Sequence, residues 1–156
     1  MADSIAEKII ANIKTTLEGI TVANGYLNTQ QKVTRGDAVL MNELAFPGFE
    51  VLEPDETFEQ APAAGPNALL TVFMELPIRG WILLVRGDKS KTLGTLIQDT
   101  LKAMMVDQTR GGLAVATDPV SVETWIVPEE NQPKHFFVAI FRVHYRHRRT
   151  DPTVVG

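Results

Sequence analysis

Titratable and hydrogen-bonding side chains concentrate near the end of this chain, where His135, His144 and His147 share one stretch with Arg142, Arg146, Arg148 and Arg149. Imidazoles ligate metals and move protons, and guanidiniums hold carboxylates or phosphates, so spacing decides which chemistry is open. The stretch alternates as a strand does, with successive side chains on opposite faces. His147 is three residues from His144 and His135 is nine, so neither shares its face and no metal-ligating pair converges. Arg142, His144, Arg146 and Arg148 do share a face, forming a basic row. An acidic counterpart lies upstream in Glu50, Glu53, Asp55, Glu56 and Glu59. Opposite patches of this kind suit head-to-tail self-association, and equally suit two solvated surfaces.

Other reactive constellations are missing from the sequence. The paired carboxylates Asp55-Glu56 and Glu129-Glu130 fall in a loop and a turn, where solvated charge explains them. Asp99 is placed toward the polar side of a helix, beside Lys102, and nothing marks it as a general base. There is no cysteine, which excludes thiolate catalysis, disulfides and zinc–cysteine sites. Neither a phosphate-binding glycine loop nor a GxSxG elbow occurs. The sequence therefore predicts no catalytic residue, no cofactor and no metal, and reads as a non-enzyme. A nucleic-acid groove would combine the basic row with a stacking aromatic ring. Tyr145 is adjacent but faces the other way, and the formal charge of −4 argues against a dedicated binder. Nucleic-acid binding thus ranks below a protein interface or a pore lining.

The elements that would position these groups follow from periodicity. Ser4 and Glu7 have capping-box spacing, and Ile5, Ile9, Ile13 and Leu17 predict a helix over 5–18 that stops near Gly19. Asn24-Gly25 signals a turn, followed by strands around 31–35 and 49–52. Residues 53–67 hold three prolines and read as an acidic loop, with at most a brief extended piece near Phe58. Strands over 68–76 and 81–85 flank Pro77-Ile78-Arg79-Gly80 and predict a hairpin, with one bent longer strand as the alternative. Leu93, Leu96, Ile97, Thr100, Leu101 and Met104 predict a second amphipathic helix over 92–106. A strand over 120–127 and a turn at 128–133 lead to the final strand, 136–148, with 150–156 as a tail. That last strand spans about 13 residues, or roughly 40 Å, about twice the usual length. A small domain is not expected to cover it alone.

Helix, strands, helix, strands predict an α+β fold, a mostly antiparallel mixed sheet with both helices on one face, in a single domain over 1–156. The length suffices for one core, and 44% hydrophobic against 22% charged residues is ordinary for a soluble protein. No apolar run approaches the roughly 20 residues of a membrane span. The start, MADSIAEKII, lacks the pattern of a secretion signal.

Several short signatures recur in a familiar order. They are the first helix running into Asn24-Gly25-Tyr26, Phe46-Pro47 before an early strand, and Trp81 to Val85 leading to a helix with Ile97-Gln98-Asp99. The last is a terminal strand closing on Tyr145 and Asp151-Pro152-Thr153. In this order, which covers nearly the whole chain, the sequence resembles the tail terminator (tail completion) proteins of long-tailed bacteriophages. The acidic segment 53–67 matches no motif of that family. The resemblance implies a homohexameric ring on the head-proximal end of the tail tube, which ends tube polymerisation and presents the head-joining surface. It implies tail tube protein and head–tail connector proteins as partners, a place in the virion tail, and assembly in the host bacterial cytoplasm. Nucleic acid would only pass through the lumen, and no membrane is involved. On this reading Arg142, His144, Arg146 and Arg148 line a subunit interface or the lumen, and the acidic residues form the complementary patch. The alternatives are another neck component, such as a head–tail joining or stopper protein, and a nucleic-acid-binding module using the final strand.

Overall fold

The computed structural model describes residues 2–36, 45–59, 65, 68–84, 91–128 and 133–156. In chain order these form α1 (Ile5–Glu18), a 3-10 turn (Val22–Asn24), β1 (Lys32–Arg35), β2 (Gly48–Val51), β3 (Asp55–Glu59) and β4 (Leu69–Leu83). Then follow α2 (Leu93–Val106), β5 (Ala116–Val127), β6 (Lys134–Arg148) and β7 (Asp151–Val155). The spine is the antiparallel pair β4 and β6, matched from Leu69 opposite Arg148 to Leu83 opposite Lys134. β2 and β3 share the outer edge of β4, and β1 adds to β2 in parallel. β5 and β7 lie in succession along the outer edge of β6. The class is α+β, with a seven-stranded mixed sheet.

Both helices cover one face of this sheet, here called the inner face. α1 buries Ile5, Ile9, Ile10, Ile13 and Leu17, and α2 buries Leu96, Ala103 and Met104. They join Val72, Met74, Leu76 and Ile78 of β4 and Phe137, Ala139, Phe141 and Val143 of β6 in one apolar cluster. Each such fully buried side chain contributes about 1.5–3 kcal/mol, which makes this cluster the main source of stability. Ser4 caps α1, its Oγ accepting the Glu7 N–H at 3.2 Å. Glu7 leaves the second half of the capping box unmade and takes Arg35 of β1 at 2.5 and 2.8 Å, tying helix to sheet. α2 carries a full capping box, with Thr92 and Thr95 bonding each other's backbone N–H.

The expected hairpin at 77–80 is absent, and β4 runs through it as one strand. Pro77 is tolerated because its C=O, which accepts from Leu52 N, faces the β2/β3 edge. In a strand the N–H of a residue points the same way as its C=O, so the missing donor falls between β2 and β3 and not on β6. Gly80 is no turn glycine: a Cβ there would overlap the Phe137 ring on the inner face. The acidic loop likewise begins as a strand, because β4 leaves its edge free at 71–75 and β3 fills it. Residues 60–64, 66–67 and 85–90 lie outside the described residues, as do 129–132 of the turn expected at 128–133. The tail 150–156 turns back as β7, held by Asp151 Oδ1 accepting from Thr153 N at 3.0 Å and Thr153 Oγ1 at 2.5 Å. β5 starts four residues early, passing through Pro119 with a register shift before Ser121. Finally, the inner face of β6 is buried right through Tyr145 and His147, so the domain does cover that side of its long strand.

Candidate functional site

The face of the sheet away from the helices divides into two ends. At one end Trp125 stacks on Phe136, with ring centroids 5.4 Å apart and planes 6° from parallel. Trp81 lies beside them, buried, its indole N–H donating to Ala45 O at 2.7 Å, and Arg79 rests over its ring. At the other end Arg142, Arg146 and Arg148 of the basic row are exposed and His144 is half-buried, and register assigns their neighbours. Arg142 lies between Glu75 on β4 and Asp118 on β5, with Asp55 of β3 beyond Glu75. Its guanidinium meets the Glu75 carboxylate at 2.8 Å, with both groups about half exposed, a geometry worth at most about 1 kcal/mol in water.

His144 lies between Phe73 and Ala116. Its ring stacks on Phe73 at 4.8 Å and 26°, and its Nε2 is buried without a hydrogen-bond partner among the described residues. Thr57, Phe73, Glu75 and Arg142 wall a hollow of about 220 Å³ beside it. Next in the row, Arg146 faces Thr71 and Arg148 faces Leu69. Arg146 and Arg148 make no salt bridge among the described residues, and neither does the adjacent Arg149. His147 and His135 are on the inner-face side of the strand, away from His144. Among the described residues no three His, Asp or Glu side chains gather as metal ligands.

The acidic residues do not form one patch, which corrects the sequence expectation. Glu50 is buried and paired with Arg79 across the β2–β4 ladder. Glu56 points to the inner face and accepts the Tyr145 hydroxyl at 3.1 Å. Burial first, then the Glu56 charge and this bond, push the Tyr145 phenol well above its ordinary range. Glu53 lies near Arg35, whose guanidinium pKa is raised by its hydrogen bond to Glu7 and, less strongly, by the charge of Glu53. Asp55 and Glu59 stand on the outer face near the basic row, while Glu50 shares that face but lies buried at its other end. The pairing of β2 and β3 with β4 sends Glu56 to the inner face and Glu50, Asp55 and Glu59 to the outer, a division that depends on register. Part of the charge complementarity expected between subunits is thus met inside the sheet, by Glu75 on Arg142.

Sequence reasoning missed Phe73, Glu75, Thr57 and Asp118 as neighbours of the row. Only the cross-strand register brings them there, and no local signal carries it. It also misplaced Asp99, which is 2% exposed rather than on a polar face. The Asp99 carboxylate accepts Leu27 N at 3.0 Å, Asn28 N at 2.8 Å and Asn28 Nδ2 at 3.0 Å, fastening the segment after α1 onto α2. Arg110, fully buried at a φ of 51°, bonds the carbonyls of Met104 and Asp107 and closes the C-terminal end of α2. Both buried polar groups therefore hold backbone.

One more surface stands out. β5 ends the strand order, and Val120, Val122, Trp125 and Ile126 are 38–57% exposed. Its side chains from Glu123 to Ile126 are exposed on both faces, since neither helix reaches over them. No protein-family model matches this chain, and no curated protein matches it. No helix among the described residues is long and apolar enough to cross a membrane.

Proposed function

We propose that this chain is a structural subunit of the tail terminator kind, acting by stoichiometric assembly and not by catalysis. In this reading it forms a ring, of six copies as in the family it resembles, on the head-proximal end of a phage tail tube. It ends tube growth there and offers the surface to which the head connector joins. The observation that carries the assembly role is the outer sheet face: among the described residues it has no helix over it, and it ends in Arg146 and Arg149, which make no salt bridge there, and in Arg148, whose neighbouring acid is Asp151 of β7. The order of signatures in the sequence is what selects a tail terminator among assembly proteins. Light scattering and negative-stain images should show rings, alone or on purified tail tube. Monomers throughout, with tube protein present, would refute the reading. Attachment to purified heads before tails would instead favour a head–tail joining or stopper protein.

A second reading rests on Arg146, Arg148 and Arg149, whose clustered guanidiniums suit a phosphate backbone at the end of β6, although Asp151 lies beside Arg148. Affinity for single- or double-stranded DNA that falls steeply with salt, and is lost when all three become alanine, would favour it. Binding that is absent at about 0.15 M salt would leave the row to protein contacts.

A further inference from the structure

Each end of the seven-stranded sheet presents a strand edge, β1 on one side and β5 on the other. An edge strand offers unpaired N–H and C=O groups, and natural proteins blunt such edges with charge, proline or bulges. In β5 the proline and the bulge, Pro119 and the register shift after it, are confined to the first half, and the second half carries a single charge, Glu123. From Ser121 to Val127 the ladder to β6 is regular, and Val122 and Ile126 lie exposed on the inner side with Trp125 on the outer. This half of the edge has apolar side chains on both faces, and among the described residues no strand pairs with its far side. We propose that it is a strand-pairing edge whose occupant is β1 of a second copy of this chain, so that the sheet continues from subunit to subunit.

Charge selects β1 over the other strand edges of the same chain. β5 carries Asp118 and Glu123 on its outer face. β3 carries Asp55, Glu56 and Glu59, and a second β5 carries the same two acids again, so both would bring like charges together. β1 carries Lys32, which is exposed, and Arg35. Direction agrees as well. β1 runs parallel to β2, β2 antiparallel to β4, β4 antiparallel to β6, and β6 antiparallel to β5. Within one subunit β1 and β5 therefore run in opposite senses, and rotation about an axis along the strands preserves that relation in the next copy. The contact is an antiparallel ladder, the slightly more stable kind.

Faces fix the register. Lys32 and Thr34 share the outer face, while Val33 and Arg35 share the inner. Setting Lys32 of one copy opposite Glu123 of the next places Val33 opposite Val122 and Thr34 opposite Ser121. Salt bridge and apolar pair then form together, and a slip of one residue destroys both. The contact joins two different surfaces, so it propagates head to tail and closes into a ring when the rotation allows.

This inference rests on the self-assembly reading, and its test separates the two. The chain has no cysteine, so one variant carrying both Lys32→Cys and Glu123→Cys should cross-link between copies on oxidation, giving a ladder up to the full multimer. Directly opposed residues of an antiparallel pair lie about 4.5–5.5 Å apart at Cα, inside disulfide range. Lys32→Cys with Thr124→Cys, which faces the other way, should not cross-link. Val122→Lys with Ile126→Lys should keep the circular dichroism and thermal melt of the parent and lose the multimer. Lys32→Glu and Glu123→Lys should each weaken assembly, and together restore it. A multimer that forms without the cross-link, or that survives the two lysines, overturns the proposed edge and leaves the ring reading standing. Cross-linking by Glu123→Cys alone overturns it in favour of a two-fold contact. A monomer with no cross-link under any condition overturns both.

Discussion

Asp99→Ala gives the sharpest test of how the fold holds its polar interior. The Asp99 carboxylate is 2% exposed and accepts from two backbone N–H groups, Leu27 and Asn28, and from the Asn28 side-chain amide. Alanine leaves these donors without an acceptor in a site too enclosed for water to replace it freely. Each stranded donor costs about 1–3 kcal/mol, offset in part because a carboxylate no longer has to be desolvated. The expected loss is about 3–5 kcal/mol, at the high end for a single substitution. Asn is the informative control, because its Oδ1 still accepts while its amide faces one donor, and about half the loss should return. Urea unfolding followed by far-UV circular dichroism would read this as a midpoint roughly 2 M lower for Ala, taking a slope of about 2 kcal/mol per M. The slope itself should be unchanged. A loss below about 1 kcal/mol for Ala would refute the claim that these bonds fasten 27–28 to α2.

Three further outcomes are expected. Gly80→Ala should destabilise by about 2–4 kcal/mol through overlap with the Phe137 ring, and Phe137→Leu in that background should recover part of it; a neutral Gly80→Ala would contradict the close approach. Tyr145→Phe should cost about 1 kcal/mol near neutral pH by removing the bond to Glu56. The raised Tyr145 phenol contributes stability below its ordinary value of 10.0 and loses it as pH climbs above that, so the parent chain should weaken in alkali with a slope that the Phe variant flattens. The Glu7–Arg35 hydrogen bond holds the Glu7 carboxyl below its ordinary 4.5, so this pair stabilises above that value and fades as pH falls below it. Because both groups are partly exposed, a double-mutant cycle at neutral pH should read less than about 1 kcal/mol, declining with salt.

Local periodicity was enough for the helices. Ile5 to Leu17 at four-residue steps and Leu93 to Met104 in a three-and-four pattern leave one way to bury an apolar stripe, so α1 and α2 could be read directly. The alternation of β6 was equally legible, and so was the separation of His144 from its two neighbours. Segments ruled by what lies beside them were not. Proline and glycine at 77–80 mimic a hairpin, yet the gap between β2 and β3 absorbs the missing donor and Phe137 accounts for the glycine. Asp55 to Glu59 is acidic enough to read as loop, and becomes a strand because β4 has an edge to fill. Asp99 looks like a surface residue until the segment 27–28 presents its N–H groups.

What the sequence by itself determined is the set of elements with strong internal periods, the α+β class they force, and the basic row at Arg142, His144, Arg146 and Arg148. Those follow from apolar spacing, which acts within one element and needs no partner. Only the tertiary structure decided that Glu75 answers Arg142, that Glu56 parts from Glu50, Asp55 and Glu59 to the opposite face, and that β5 reaches beyond both helices with its side chains exposed. Each of these depends on which strand lies beside which and in what register. Ladder pairing joins residues far apart in the chain, and one step of slip exchanges the faces, so no short stretch of sequence contains the answer.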